Sequence, residues 1–341
     1  MIFRPFTTAI LAATCLCSSA FGDYIFTDDG AAVYRFSSSG GSSTTFSNVP
    51  GTGVKGMAVT NFDPVGVTTV LAAAGGNNAI YAYSQSGVQS VFANNTNTND
   101  IGANLTGVIG IAVDPSGDVF VGANSGTEIQ EFGPTGAFDA TIVTSGLNVN
   151  SLAINAAGQL FEADNTSHQI NEYTVSSGGT LINSSVYADL SATGNAQFYG
   201  MAFDTTGNLY VSYWSGPNTG GIYEIAPGGG TLTSSTVPFY SGSGKPAALS
   251  YNADLGTLYM SYVVGSTNAG GLDVFSPNST PGTGLNATPV NLSTSLDHPY
   301  GLVAATPEPG TWLLFAGGIL SLILFRKYFA PTPKAEAASR R

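Results

Sequence analysis

The side chains that could do chemistry in this chain are a small polar and aromatic set. The strand pattern described below predicts that they lie in loops on one face of the domain. We expect six of them to bind a ligand there: Asp28, Asp29, Asp164, Tyr199, Trp214 and His298. Carboxylate and imidazole groups in such loops bind metal ions, and an indole ring either stacks on a sugar or packs internally. We predict no catalytic residue and no metal ligand among them.

The sequence lacks the motifs of the common nucleophilic and nucleotide-dependent enzymes. Cys15 and Cys17 lie in an N-terminal segment that we expect to be removed, which excludes thiol catalysis, disulfides and cysteine-bound zinc from the mature chain. His168 and His298 are far apart, and there is no Gly-x-Ser-x-Gly motif. The glycines precede no helix pattern, so a dinucleotide fingerprint is absent. We expect no cofactor, apart from a divalent cation such as calcium.

Charged residues are few in this sequence, and most of them are acidic. The 341 residues include 21 Asp and Glu but only 9 Lys and Arg. Residues 23–306 hold 19 of the acidic residues, with Arg35, Lys55 and Lys245 as their only cations. Nucleic acid is excluded as a partner because phosphate binding requires clustered Lys and Arg. Apolar residues make up 43% of the chain, which is enough to build a core.

A repeat of about 40–50 residues runs through the middle of the sequence. GIAVDPSGDVFVG at 110–122 matches SLAINAAGQLFEA at 151–163 and GMAFDTTGNLYVS at 200–212. Each copy has an apolar run, then Asp or Asn, two residues and Gly, then a second apolar run. The Asp or Asn closes a turn and the Gly adopts positive φ, so each copy predicts a β-hairpin.

Two further strands follow each hairpin. EIQEFG at 128–133 represents the third strand, whose apolar anchors Ile129 and Phe132 are three residues apart. We attribute this spacing to strong twist or a bulge. ATIVTS at 140–145 represents a weaker fourth strand. Four antiparallel strands in every repeat predict an all-β fold, a β-propeller.

The blade count follows from the two ends of the repeated region. Five complete units lie between residues 51 and 294. Residues 24–49 match strands two to four without a first strand, and residues 298–306 match a first strand alone. Together the two fragments make one blade, which removes two exposed sheet edges. The sequence therefore predicts six blades, closed by strands from both ends of a domain spanning 23–306.

The repeated motif resembles that of the NHL and SMP-30/gluconolactonase class of six-bladed propellers. The resemblance implies one divalent metal ion over the propeller axis, which lactonases of this class hold with Glu, Asn and Asp at the ends of the inner strands. Here the inner strands begin with Gly, Ser or Ala, and no Glu stands beside them. Asp297 is the nearest acidic residue and precedes its strand by one turn.

Residues 1–22 predict a secretory signal peptide. Arg4 supplies the positive charge, residues 6–17 form the apolar region, and Ala20 and Gly22 are the small residues before the cleavage site. The alternative is a retained anchor, for which the apolar stretch is short against a hydrocarbon core of about 30 Å. We therefore expect the domain to be exported.

An uncharged stretch at 311–325 predicts a transmembrane helix near the C-terminus. Basic residues follow it directly, which places the tail at 331–341 in the cytoplasm. The alternative to a processed signal is a plain stop-transfer anchor.

Five residues around this stretch form a predicted sorting signal: Pro307, Glu308, Pro309, Arg326 and Lys327. Over 307–330 this order resembles the PEP-CTERM sorting signal, also described as an ice-binding protein C-terminal domain. The resemblance implies an exosortase-type membrane protease as a processing partner, and location at the cell membrane or outer envelope, or outside the cell after cleavage.

From these observations we predict a non-enzymatic protein. It is expected to be a membrane-anchored or surface-sorted binding or structural module of the cell envelope, with exopolysaccharide or a surface glycan as its partner. The alternative is a metal-dependent SMP-30/gluconolactonase-like hydrolase.

Overall fold

The structure is a computed structural model, and it describes residues 24–38, 43–49, 53–60, 69–95, 103–143, 148–195, 197–265, 269–276 and 288–305. The chain divides at residue 306 into two units, and all described residues belong to the first. The predicted signal peptide at 1–22 and the predicted sorting signal with its helix at 307–330 lie outside the described residues. Within those residues, no helix has the length and apolar character that a membrane span requires.

β-strands make up most of the described structure, with short 3-10 turns at Gly75–Asn77 and Asn124–Gly126. The strands are, in chain order, β1 (Tyr24–Asp28), β2 (Ala32–Ser37), β3 (Thr44–Asn48), β4 (Val54–Thr60), β5 (Thr69–Ala74), β6 (Ala79–Tyr83), β7 (Gln89–Asn94), β8 (Ile109–Val113), β9 (Val119–Ala123), β10 (Glu128–Phe132), β11 (Phe138–Val143), β12 (Val149–Ile154), β13 (Leu160–Asp164), β14 (Gln169–Val175), β15 (Leu181–Ala192), β16 (Gln197–Phe203), β17 (Leu209–Gly216), β18 (Thr219–Ile225), β19 (Gly230–Thr233), β20 (Tyr240–Ser243), β21 (Lys245–Asn252), β22 (Thr257–Val264), β23 (Ala269–Phe275), β24 (Val290–Asp297) and β25 (Leu302–Ala305).

In the described residues these strands form six sheets, the blades of a propeller. Blade 1 is β4–β7, blade 2 is β8–β11, blade 3 is β12–β15, blade 4 is β16, β17, β18 and β20, blade 5 is β21–β24, and blade 6 is β25 with β1–β3. The prediction of an all-β, six-bladed propeller is confirmed.

Blade 6 contains strands from both ends of the domain. β25 pairs antiparallel with β1, with Tyr24 opposite Ala305 and Thr27 opposite Leu302. The Thr27 hydroxyl adds a buried hydrogen bond of 2.7 Å to the carbonyl of Gly301. The predicted ring closure by terminal strands is therefore present, and β1 lies between β25 and β2 instead of at an open edge.

The Asp-x-x-Gly turns form as their residue types require. In blade 2, Asp114 Oδ1 accepts hydrogen bonds from the backbone N–H groups of Ser116, at 2.8 Å, and Asp118, at 2.9 Å. Gly117 has φ +92°, a conformation that is costly for residues with a side chain. Asp204 closes the blade 4 turn in the same way. These aspartates therefore form the hairpins that connect the first two strands of a blade.

Both faces of each blade are buried against neighbouring blades. Ile129 packs in the cluster between blades 2 and 3, whereas Phe132 of the same strand packs in the cluster between blades 1 and 2. Residues three apart in a strand point to opposite faces, so two anchors at this spacing serve two seams. β10 pairs with β9 without any register shift. Its pairing with β11 shifts register between Ile129 and Gln130 and again between Glu131 and Phe132, so an irregularity of the expected kind is present between the two anchors.

Blade 3 departs from the predicted four strands. β19, which follows β18 in the chain, lies parallel against β15, with Ala188 opposite Gly230. β15 is twelve residues long, and β19 pairs with part of its outer edge. The Tyr187 hydroxyl also donates a hydrogen bond of 3.1 Å to the carbonyl of Ala226, which fixes the connection in place.

A carboxyl group is buried in the seam between blades 2 and 3. Glu162 is fully buried, and its Oε2 accepts a hydrogen bond of 2.8 Å from Asn171 Nδ2. Its Oε1 has no hydrogen-bond partner among the described residues. Burial, with a smaller contribution from the nearby Asp164 carboxylate, raises the pKa of Glu162 to about 8. The folded protein therefore holds this proton more tightly than the unfolded chain.

The free energy of unfolding is expected to fall as the pH rises from about 4.5 to about 8, since a raised carboxyl pKa stabilises the fold only while the group is protonated. Glu162→Gln removes the contribution of this residue to the dependence, whereas Asp28 and Glu131, whose pKa values are also raised, keep theirs. At pH 8 the variant should gain about 2 kcal/mol or more over the parent, and near pH 4.5 almost nothing. Urea unfolding at both pH values measures the difference. Asp254→Asn, at an exposed position, is the control; an unchanged pH profile in Glu162→Gln would contradict the assignment.

Candidate functional site

A channel follows the axis of the propeller and encloses a cavity of about 640 Å³. Its walls are the first strands of all six blades, β4, β8, β12, β16, β21 and β25. The same repeat position supplies a small side chain to the wall in four of them: Ala58, Ala112, Ala153 and Ala202. Large side chains at this position would fill the channel, so the repeat motif itself leaves the cavity open.

Polar and aromatic side chains surround one mouth of this channel. Lys55, Asn150, Tyr199 and Tyr300 stand at or just before the beginning of an inner strand, and all four line the cavity. Trp214 joins them from the end of β17, opposite Gln197. Tyr199 and Trp214 were expected to lie on one face and to contact a ligand. The structure brings them together at this mouth.

Trp214 is held by three intramolecular contacts. Its ring stacks on that of Tyr199, with centroids 3.8 Å apart. Its Nε1 donates a hydrogen bond of 2.6 Å to the carbonyl of Pro246, and the Lys245 ammonium lies 4.5 Å from the ring centroid. Trp214 is therefore a packed part of the channel wall that joins blade 4 to blade 5. Of the two roles considered for its indole ring, sugar stacking and internal packing, these contacts show internal packing.

The mouth also carries two of the three cations in the described residues. The Lys55 ammonium lies 4.6 Å from the ring centroid of Tyr300, and Lys245 lies beside Trp214. In the part of the chain that the structure describes, neither lysine has a carboxylate within salt-bridge distance. Arg35, the third cation, packs on Tyr24 in blade 6. The channel mouth is thus positive although the protein as a whole is acidic.

The tyrosines at the mouth keep their protons. Burial raises the pKa of Tyr199 to about 12, and the nearby Tyr300 hydroxyl contributes to the rise. Burial likewise raises the pKa of Tyr300, with a further contribution from Asp28. Tyr199 donates a hydrogen bond of 2.5 Å to Gln197 Oε1. Both hydroxyls are therefore neutral hydrogen-bonding groups at physiological pH.

The three aspartates that we expected to bind a ligand hold their own loops instead. Asp28 is fully buried and accepts hydrogen bonds from the N–H groups of Gly301, at 2.6 Å, and Gly30, at 3.0 Å. Burial raises the pKa of Asp28 to about 8. Asp29 accepts from the N–H groups of Ala31 and Ala32.

Asp164 has the same kind of structural role. Its Oδ1 accepts hydrogen bonds from the N–H groups of Asn148, at 3.0 Å, and Thr166, at 2.8 Å, and its Oδ2 accepts one of 2.7 Å from the Ser167 hydroxyl. These bonds shape the loop after β13. Satisfied backbone donors explain why an acidic residue is buried there.

His298 forms a pair that sequence reasoning missed. Its Nδ1 lies 2.6 Å from Asp297 Oδ1, and its ring centroid lies 6.4 Å from that of Tyr300. A carboxylate at Nδ1 orients the imidazole and leaves Nε2 as the basic nitrogen. The sequence feature that could have revealed this pair is the adjacent Asp-His just before the last inner strand. His168, the other histidine, instead lies beside Phe198, with ring centroids 6.2 Å apart.

Comparison with known proteins places the fold in a family. The family model described as the SMP-30/gluconolactonase/LRE-like region matches residues 26–263. No curated protein sequence matches this chain.

Solved structures share the architecture. That of a candidate gluconolactonase is 14% identical, with a TM-score of 0.55, over 80% of this chain and 88% of the other. That of a streptogramin B lyase is 16% identical, with a TM-score of 0.50, over 84% and 89%. At these identities the structural likeness shows the fold alone.

The family match overturns two predictions. The non-enzymatic prediction was wrong, and so was the prediction of a binding or structural module of the cell envelope, because the match covers most of the propeller and points to lactonase-like enzymes. The non-enzymatic prediction depended on the missing Glu at the inner strands, and a family pattern spread over the whole repeat is not set by that one position. This chain belongs to the SMP-30/gluconolactonase/LRE-like family.

Proposed function

We propose that this protein is a lactonase-like hydrolase that opens a cyclic ester at the mouth of its central channel. The observation that carries the proposal is the family match over residues 26–263. In the reaction, the oxygen of a water molecule bonds to the lactone carbonyl carbon and the ring C–O bond breaks. The ring oxygen leaves with a proton taken from the water. The product is a hydroxycarboxylic acid.

The mouth suits a sugar-derived lactone. Asn150 and the neutral hydroxyls of Tyr199 and Tyr300 provide hydrogen-bonding groups beside an aromatic wall. Pockets of several hundred Å³ with a few placed polar groups are typical of small-molecule sites. The cavity of about 640 Å³ accommodates a monosaccharide ring.

Lys55 and Lys245 supply the positive charge that ester hydrolysis needs. Attack on the carbonyl places negative charge on its oxygen, and cationic donors aimed at this oxygen lower the barrier. The two ammonium groups already lie against Tyr300 and Trp214, so the surrounding wall restricts them before substrate arrives.

His298 is the proposed general base. Asp297 holds the imidazole through Nδ1, and Nε2 accepts the proton of the attacking water. The same nitrogen then returns this proton to the ring oxygen as the ring opens. Tyr300, whose ring centroid lies 6.4 Å from that of the imidazole, lines the channel and contacts the Lys55 ammonium.

The axial metal of the family's lactonases does not fit the residues at this mouth. Of the described residues that line the channel, none is Asp or Glu, and Asn150 is the one amide. Two ammonium groups nearby disfavour a second cation by charge repulsion. The proposed steps therefore use only side chains of this chain.

Export and sorting remain part of the proposal. The signal peptide predicted at 1–22 and the tail resembling a PEP-CTERM signal at 307–330 support action outside the cytoplasm, at the membrane or in the medium after processing by an exosortase-type protease. A lactone of extracellular carbohydrate is then the expected substrate class.

Removing either lysine is expected to slow lactone hydrolysis. Lys55→Met and Lys245→Met should each lower kcat/KM by about 10- to 100-fold, because the developing oxyanion loses a cationic partner. Glucono-1,5-lactone and related aldonolactones, assayed by acid release with a pH indicator, provide the measurement. Arg35→Met removes the third cation, which lies away from the channel, and should leave the rate unchanged. Equal rates in all three variants would argue against this mouth as the site.

His298→Asn is expected to lower kcat by about 100-fold with a smaller effect on KM, since a general base acts on the chemical step. Asn tolerates the positive φ of this position, +48°, so the loop should keep its conformation. His168→Asn is the matched control, because His168 also has positive φ, +56°, and no proposed role. Full activity in His298→Asn would remove it from the mechanism.

Sorting is tested separately in the producing cell. Glu308→Gln should change the fraction of protein that is released from the membrane, as judged by immunoblots of membrane and medium. Glu336→Gln, in the tail beyond the predicted helix, is the control. Identical distribution of Glu308→Gln and the parent would favour the plain stop-transfer anchor.

A further inference from the structure

Three carboxylates come together in blade 2, at the end opposite the channel mouth. Asp118 follows the turn between β8 and β9, Glu131 lies in β10, and Asp139 lies in β11 where the pairing with β10 shifts register. One oxygen from each residue lies within 4.8 Å of the others. Oxygens around a single Ca²⁺, each at about 2.4 Å, are separated by at most about 4.8 Å, so the spacing matches one shared cation.

Glu131 provides an independent indication of a ligand. The residue is only 1% exposed, and its Oε2 is buried with no hydrogen-bond partner among the described residues. Burial raises the pKa of Glu131 to about 7, and Asp118 and Asp139 add to the rise. A buried carboxylate with neither a donor nor a counter-ion is costly, and such groups are normally paired or bound to a metal.

In blades 3 and 4, the glutamate at the position of Glu131 accepts a hydrogen bond from a side chain of its own blade. Glu172 in blade 3 corresponds to Glu131 and accepts a hydrogen bond from the Gln159 amide. Glu224 in blade 4 accepts one of 3.0 Å from the Tyr210 hydroxyl.

Blade 2 has lost both of these donors. Asp118 stands where blade 3 has Gln159, and Phe120 stands where blade 4 has Tyr210. The repeats otherwise agree closely in sequence. They differ at the two positions that supply a hydrogen-bond donor to the glutamate. The exchange of an amide for Asp118 also adds a negative charge where the other blades have none.

Gly179, in the turn of blade 3 between β14 and β15, packs closely beside Glu131. Gly179 has φ +80°, and a Cβ atom built there would lie 3.2 Å from Glu131 Oε2. The same Cβ would lie 2.2 Å from that of Ala140 in β11. A side chain at Gly179 would therefore crowd the carboxylate. Asp139, in contrast, is exposed and leaves room for water ligands.

We propose that Asp118, Glu131 and Asp139 bind a calcium ion that joins β9, β10 and β11 of blade 2. Three hard oxygen donors with waters in the remaining positions suit Ca²⁺, which accepts six to eight oxygen ligands in irregular geometry. Mg²⁺ is expected to bind more weakly because it requires a near-octahedral arrangement. The ion stabilises the blade and takes no part in hydrolysis at the channel, so this site stands or falls independently of the proposed reaction.

The test compares the full chain with Asp118→Asn after removal of metal with EDTA. Without calcium, Asp118→Asn should melt at a higher temperature than the parent, since an amide can donate to Glu131 as Gln159 does to Glu172. With CaCl₂ the order should reverse, because only the parent gains stability from the ion. Calorimetric titration with CaCl₂ should show affinity at least tenfold lower in Asp118→Asn than in the parent, and MgCl₂ should bind the parent more weakly.

Two controls separate this site from general effects. Asp139→Asn, at an exposed position, should weaken calcium binding without affecting the fold, as judged by circular dichroism. Glu172→Gln changes the corresponding glutamate of blade 3 and should bind calcium like the parent. Equal calcium affinity in the parent, Asp118→Asn and Asp139→Asn would overturn the proposal. So would a parent chain that neither binds calcium nor is stabilised by it.

Discussion

Backbone hydrogen bonds between β25 and β1 place both ends of the described chain in a single blade, and the rest of the propeller depends on that pairing. With the ring closed, every blade is packed between two others and both of its faces are buried. The apolar cluster around Ile25 and Leu302 fills the seam between blades 5 and 6, and that around Phe26 and Met57 fills the seam between blades 6 and 1. An open ring would expose one of these clusters together with two unpaired strand edges.

Closure also sets how closely the inner strands approach one another. A Cβ atom at Gly56 would lie 3.0 Å from the Cα of Gly110, and one at Gly200 would lie 2.9 Å from the Cα of Ala248. Small residues are required at these contacts because backbones of neighbouring blades nearly touch. The alanines two residues further on line the cavity and also pack in the clusters between blades. One geometric constraint thus explains both the repeated Gly-x-Ala motif and the cavity in which the reaction is proposed.

The few charged side chains of this chain differ in burial and lie at two opposite ends of the propeller. Lys55 and Lys245 are the cations at the channel mouth, and no described carboxylate neutralises them. Asp28 and Asp164 face the same end of the propeller, but backbone N–H groups occupy their oxygens. At the opposite end, Glu131 has no such partners. An acidic protein therefore presents a positive mouth and a separate acidic cluster, because hydrogen bonding decides which charges remain available.

The sequence by itself determined the propeller, its six blades and its closure, since turn chemistry and apolar patterning act locally and recur in each repeat. It also placed Tyr199 and Trp214 on one face, because antiparallel strands bring alternate loops to the same end. Tertiary structure alone decided what these side chains contact. Asp28 looks like a ligand in the sequence, yet two backbone N–H groups bind it. Glu131 resembles Glu172 in the repeat, yet it lacks a donor. Such differences arise from partners on other strands and blades, which strand register and ring packing bring into contact and a local motif does not specify.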